Sequence, residues 1–195
     1  MKRAKSIAHT GFGITLEEKI MAERMYEFTW DIIGDLEAGR PNLGENVNLV
    51  LYRLMQYTFR DVAEQRFGTE VCNSLFYDAG KLAGMFFFEK FLKEFAELPL
   101  NGFVAELQRV MRELGVGILR IEKADPDAGI FVLTVSEDLD CSGLPDIGIE
   151  VCNYDEGFIA GVFYKYTGQV FHAKEVDCWA SGDRTCRFKV DRTKS

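Results

Sequence analysis

The sequence predicts an α+β fold, with helices packed on one face of an antiparallel sheet and an N-terminal helical extension. Three observations predict it. Apolar residues recur at helical spacing from Thr15 to about Gly115. The pattern then turns to apolar–polar alternation at Gly117, and the strands fall into two hairpins separated by one helix. Segregated helices beside antiparallel strands define that class.

Each element has its own signals. Thr15-Leu16-Glu17-Glu18 carries a capping box, Thr followed three residues later by Glu, and predicts a helix to about Glu37. Ile20, Met21, Met25, Phe28, Ile32 and Leu36 form its apolar face, and Gly39-Arg40-Pro41 ends it. A second helix runs from Asn46 to Phe67 and stops at Gly68. Thr69 caps a third, reaching Phe95. Asn101 caps a fourth, with Phe103, Leu107, Val110, Met111 and Leu114 inside and Gly115 at its end. Gly117 to Lys123 and Gly129 to Val135 alternate around the turn Asp125-Pro126-Asp127-Ala128-Gly129, which makes a hairpin. Cys152 to Thr167 returns to helical spacing, with Phe158, Ile159, Val162, Phe163 and Tyr166 apolar. Gln169 to Cys178 and Arg184 to Val190 form the last hairpin.

Composition excludes several functions. With 195 residues, 47% hydrophobic and 28% charged, the chain can bury a sizeable core as one globular domain with an extension. A net charge of -8 lacks the basic face that neutralises phosphates, so no nucleic-acid partner is expected. The longest apolar run, Ala83 to Phe88, is too short to span a bilayer. Lys2, Arg3 and Lys5 read as a solvated tail, without the apolar stretch of a signal peptide. A cytoplasmic location is therefore expected. Five cysteines, an odd number in such a chain, disfavour a disulfide framework and favour metal binding or burial.

The cysteines supply the main chemical signal. If the last hairpin turns around Gly182, Cys178 and Cys186 lie opposite one another and project on one face. Two thiolates so placed are half of a tetrahedral zinc site. Cys152 is the best third ligand, because a helix N-terminus favours a thiolate. Cys141 and Glu175 compete for the fourth place. Strict alternation puts Glu175 on the face opposite Cys178, so its ligation needs a bulge, whereas Cys141 sits in a Gly/Pro-rich loop that can fold over the site. Burial as small hydrophobes, or a cross-strand disulfide, are the competing readings. Cys72, alone on a helix, reads as core.

A second signal is aromatic. Phe76, Tyr77, Phe86, Phe87, Phe88, Phe91 and Phe95 crowd one helix. Three consecutive Phe cannot share one helical face, since neighbours stand about 100° apart. The helix is then either a central core element or the wall of a cavity. Gly80 and Gly84, four apart, let another backbone approach.

Catalytic signals are sparse. His9 lies in the tail. His172 is an exposed strand residue, a polar pocket group or an alternative metal ligand, and alternation puts it on the face of Cys178. There is no Ser/His/Asp order, no phosphate-cradling loop and no nucleotide fingerprint; the Gly11–Gly13 stretch is too short to count.

Residues Glu137 to Phe163 and Lys174 to Phe188 give the pattern Cys-x-Gly, Cys, Gly-Phe-x-x-Gly, then Glu-x-x-Cys-x-x-x-Gly-x-x-x-Cys-x-Phe. This pattern resembles the 4-vinyl reductase domain family, and Leu75 to Gly84 is similar to an earlier segment of it. Residues 41–195 would form that domain, and residues 1–40 lie outside it as a tail and helix that could serve dimerisation. The resemblance implies one structural zinc ion on Cys152, Glu175, Cys178 and Cys186, with Cys141 as the alternative. It implies the fold shared with vesicle-tethering (TRAPP-type) subunits and with the sensory domains of aromatic-responsive regulators, and a homodimer built through helices. It also implies a pocket for a small hydrophobic ligand between helices and sheet. Tyr77, Phe86, Phe87, Phe88, Phe91 and Phe103 are the candidate lining. The favoured reading is a binding module, a sensor or carrier acting through a signalling partner, rather than an enzyme. The alternatives are an enzyme or accessory in tetrapyrrole 4-vinyl reduction, which lacks a recognisable NAD(P) or flavin motif here, and a dimeric scaffold without ligand.

Overall fold

The computed structural model describes residues 25–193. The chain divides into two units between Glu45 and Asn46. In the first, a 3-10 turn at Trp30–Ile33 is followed by a single helical turn, Leu36–Gly39. The start of the helix expected from Thr15 to Glu37 lies outside the described residues. From Met25 onward the expectation fails. Gly34 adopts φ 75° and breaks the chain, and Asp35 caps a fresh turn by accepting from the Ala38 N–H at 2.8 Å. Ile32 and Leu36 are exposed rather than aligned on a buried stripe.

The second unit holds four helices and four strands among the described residues. Helix α1 (Leu49–Phe67) starts where Asn48 accepts from the Val50 N–H at 3.0 Å, and ends at Gly68, φ 82°. Helix α2 (Thr69–Phe87) follows directly and continues through a π turn, Phe88–Leu92, and a 3-10 turn, Lys93–Phe95. Helix α3 (Leu100–Glu113) begins after Pro99 rather than at Asn101 and buries Phe103, Leu107, Val110 and Met111. Strands β1 (Ile118–Asp125) and β2 (Ile130–Ser136) form the first hairpin, with Asp125 accepting from the Ala128 N–H and Gly129 at φ 70°. Helix α4 (Asn153–Thr167) leads to β3 (Phe171–Asp177) and β4 (Cys186–Arg192).

The strands make one antiparallel sheet in the order β1-β2-β4-β3. Phe131, Leu133, Val135, Ala173, Phe188 and Val190 are buried in the main core cluster with Phe103, Leu107 and Met111 of α3 and Ile159, Val162 and Phe163 of α4. On the exposed side, Arg187 bridges Glu122 and Asp177.

Helices α2 and α4 run parallel in intimate contact. A Cβ added to Gly80 or Gly84 would strike the carbonyl of Tyr154 or Phe158, and one added to Gly157 or Gly161 would strike that of Tyr77 or Lys81. Both helices thus place two glycines four residues apart at the crossing, so backbone meets backbone. The aromatic run of α2 fills space around this crossing. Phe87 packs against Phe91 and Phe158 with ring centroids 5.0 Å apart, and Phe88 lies 6.0 Å from Phe103. Cys72 is fully buried between α1 and α2, as a core cysteine should be.

Candidate metal centre

Four cysteines converge from four places. Cys141 lies in the loop after β2, where Asp138 accepts from the N–H groups of Asp140 (2.8 Å) and Cys141 (3.1 Å). Cys152 stands at the N-terminus of α4. Cys178 follows β3, and its turn is locked by Ser181, whose hydroxyl accepts from the Cys178 N–H and donates to the Cys178 carbonyl, both at 3.1 Å. Gly182, φ 100°, completes the reversal, and Cys186 opens β4. Asp177 pairs with Arg187, so Cys178 stands across from Cys186 as the spacing predicts.

All four sulfurs are buried and lie within 4.8 Å of one another. Cys152 Sγ is 3.8 Å from Cys178 Sγ and 3.9 Å from Cys186 Sγ; Cys141 Sγ is 3.0 Å from Cys186 Sγ. A tetrahedral ion with zinc–sulfur bonds of about 2.3 Å needs sulfur–sulfur edges of roughly 3.8 Å. The donor set therefore fits a closed, four-coordinate metal site. All five cysteines are free thiols.

Glu175 stands beside this set. A bulge between Glu175 and Asp177 reverses the alternation of β3, so Glu175 and Cys178 both face inward. Its Oε2 accepts from the Cys152 N–H at 3.0 Å, meeting one of the bare donors at the start of α4. Its Oε1 is buried without a partner. Burial, together with the nearby Cys178, pushes its carboxyl up to about 8. The same bulge puts His172 on the opposite face from Cys178, contrary to strict alternation. His172 is exposed and stacks on Tyr77 at 5.6 Å, away from the sulfurs.

Helix α1 secures the loops that carry two of the cysteines, a role the sequence reading missed. Arg53 donates to the carbonyls of Asp138 and Leu139, and Tyr52 and Tyr57 donate to the side chain and carbonyl of Asp140. Arg60 donates to the carbonyl of Val151 and to Asn153, Asn73 and Glu64 while lying over the Phe76 ring. Arginines and tyrosines every three or four residues on one helix were the available signal, but their partners are more than 80 residues away.

The apolar crevices lie elsewhere than the α2 aromatic run. Of the six residues expected to line a pocket, Phe103 borders a crevice of about 10 Å³ beside α3 and stacks on Tyr166 at 3.9 Å. Tyr77, Phe87 and Phe88 are engaged in the ring pairs described above, and Phe86 and Phe91 are half-buried. A crevice of about 20 Å³ between α3, α4 and the sheet is lined by Leu107, Met111, Leu119, Leu133, Phe158 and Phe163, with Asp138 and Asp155 at one end. A wider hollow of about 400 Å³ opens between α1, α2 and Tyr154.

These features define an α+β domain with helices on one sheet face and a buried four-cysteine centre. Residues 131–192 match the model of the 4-vinyl reductase domain, and the chain carries that domain. An uncharacterized protein of Methanocaldococcus jannaschii is 27% identical over 152 residues, 76% of this chain and 80% of that one. Another from the same organism is 30% identical over 92 residues, 46% of this chain and 47% of the relative. Among solved structures, the phenol-responsive sensory domain of the transcription activator PoxR with phenol has a TM-score of 0.59 at 16% identity, covering 77% of this chain and 78% of that one. A vinyl-4-reductase family protein from Methanocaldococcus jannaschii has a TM-score of 0.53 at 16% identity, covering 87% and 99%. Trafficking protein particle complex subunit 3 from Naegleria fowleri, covalently bound to palmitic acid, has a TM-score of 0.61 at 13% identity, covering 77% and 98%. At these identities the likeness establishes the fold that 4-vinyl reductase domains share with TRAPP-type subunits. No helix among the described residues is long and apolar enough to cross a membrane.

Proposed function

We propose that this protein is a zinc-stabilised domain that binds a small hydrophobic molecule as a sensor or carrier. The observation that carries the reading is the apolar crevice between α3, α4 and the sheet, whose closed end abuts the cysteine centre through Asp138 and Asp155. Two proteins of the same fold hold such molecules, phenol in one and palmitic acid in the other, which supports the reading. Cys141, Cys152, Cys178 and Cys186 hold the ion, and Glu175 orients Cys152 through its backbone N–H. The ion supplies a structural cross-link between the loop after β2, the start of α4 and the β3–β4 hairpin. With four protein ligands, no position remains for water or substrate. Free thiols in such a centre suit a reducing, cytoplasmic setting.

The protein acts as a homodimer in this reading. Leu51, Met55, Phe59 and Val62 of α1, and Val71, Leu75 and Leu82 of α2, repeat at helical spacing and are exposed. An apolar stripe of that extent is what a second copy would cover.

The test is native mass spectrometry of protein purified without chelator, followed by denaturation and organic extraction. One zinc per chain and a co-purifying apolar species, released together on denaturation, are the expected result. A chain with metal that takes up no apolar molecule from a panel of alkylphenols and fatty acids would overturn the binding function.

A further inference from the structure

The crevice beside α3 and the one that ends at the aspartates adjoin. They share Leu107, Leu119, Leu133 and Phe163, so together they form one elongated seam between α3, α4 and the sheet. One end, near Phe103 and Tyr166, is lined by apolar and aromatic side chains. The other end carries Asp138 and Asp155.

Asp155 Oδ2 is shut off from solvent and has no hydrogen-bond partner. Asp138 spends Oδ1 on the two backbone N–H groups of its own turn. A buried acceptor without a donor is costly, and such groups are ordinarily met by something. An ionised carboxylate only accepts, so what meets it must donate. A ligand carboxylate would instead add a negative charge to a corner that already holds Asp138, Asp140 and Asp155. Met111, an adaptable unbranched side chain, lines this end and gives the wall room to adjust.

We infer that Asp155, with Asp138 beside it, anchors the head of the ligand, and that the ligand is an elongated apolar molecule ending in a hydroxyl or amino group rather than a carboxylate. This rests on the proposed binding function and adds the head-group class to it. The anchor also touches the metal centre. Asp138 and Cys141 are three residues apart in one loop, Cys152 and Asp155 three apart in the first turn of α4. Carboxylate oxygens of both aspartates lie within 4.8 Å of Cys152 Sγ.

The probes are 4-hexylphenol and 4-hexylbenzoic acid, which differ only in the head, titrated calorimetrically at neutral pH into protein carrying its metal. The phenol is expected to bind at least about tenfold more tightly. In Asp155→Leu that preference falls to within about threefold because the phenol is lost. In Asp155→Asn, which keeps an acceptor without the charge, the phenol is retained and the preference narrows because the benzoate gains. Metal content per chain stays the same in all three. Equal binding of the two probes by the wild type overturns the head-group inference and leaves the binding function standing. No binding of either probe by fully metal-loaded protein overturns both. A second metal ion per chain, lost in Asp155→Asn, makes the aspartates a cation site and overturns the inference.

Discussion

The α2–α4 crossing makes a prediction whose sign is opposite to helix propensity. Gly157 lies within α4, so Gly157→Ala should by propensity alone stabilise the helix by roughly 1 kcal/mol. The crossing opposes this. The new Cβ would strike the carbonyl oxygen of Tyr77 and stand 2.7 Å from the Lys81 nitrogen and 2.8 Å from the Tyr77 carbonyl carbon. These are backbone atoms of a packed helix and cannot rotate away, so the two helices must part. Overpacking of this kind costs about 3 kcal/mol, leaving a net loss of about 2 kcal/mol. Gly102, in the first turn of α3, is the control. There the nearest atoms to an added Cβ belong to the Leu98 side chain at 3.4 Å, and Gly102→Ala should be neutral or stabilise by roughly 0.5–1 kcal/mol. Urea unfolding of the metal-loaded proteins reads the contrast. With a slope of about 2 kcal/mol per molar, Gly157→Ala should move the midpoint down by roughly 1 M and Gly102→Ala hold it or move it up. If Gly157→Ala shifts the midpoint upward alongside the control, the backbone-to-backbone crossing is wrong.

Other perturbations separate the remaining roles. Arg60→Ala removes bonds to Val151, Asn153, Asn73 and Glu64 and should cost roughly 3 kcal/mol in thermal or urea unfolding; a loss below about 1 kcal/mol would refute its role as a clamp. Glu175→Gln keeps an acceptor for the Cys152 N–H and should retain the metal in a chelator competition. Cys141→Ser should lose it at far lower chelator concentration; the reverse order would make Glu175 the ligand. Removing the ion, by chelator or by acid that protonates the thiolates, should loosen the β3–β4 hairpin, read as faster amide exchange across residues 171–192. Phe59→Glu should convert a dimer to a monomer in sedimentation, and an unchanged sedimentation coefficient would place the interface elsewhere.

Much of this architecture is legible in the sequence because the deciding signals are local. The stripe Phe103, Leu107, Val110, Met111 reports which face of α3 is buried, and the turn from Asp125 to Gly129 fixes the first hairpin. Cys178 and Cys186 face each other because Gly182 sets the reversal between them. What escapes depends on neighbours distant in sequence. No local pattern announces the bulge after Glu175, yet it decides which way His172 and Glu175 point. Gly157 and Gly161 are visible as glycines, but that they meet Tyr77 and Lys81 follows only from the packed helices. Tyr52, Arg53, Tyr57 and Arg60 look like ordinary helix-surface residues until the loops at Asp138 and Val151 are laid across them. The Phe86–Phe88 run suggests a cavity wall, but Phe87 and Phe88 pair with Phe158 and Phe103 and fill the core instead. The N-terminal stripe predicts a helix that Gly34 and Asp35 interrupt in the described part.

X-ray absorption at the zinc edge, on protein purified without chelator and quantified for metal, bears most directly on the centre. The account predicts one zinc per chain with four sulfur neighbours at about 2.3 Å and no oxygen or nitrogen bound to it. Three sulfurs and one oxygen around the ion would put Glu175 in the place given to Cys141. A chain free of metal, folded and with all its thiols titratable, would contradict the account at its centre.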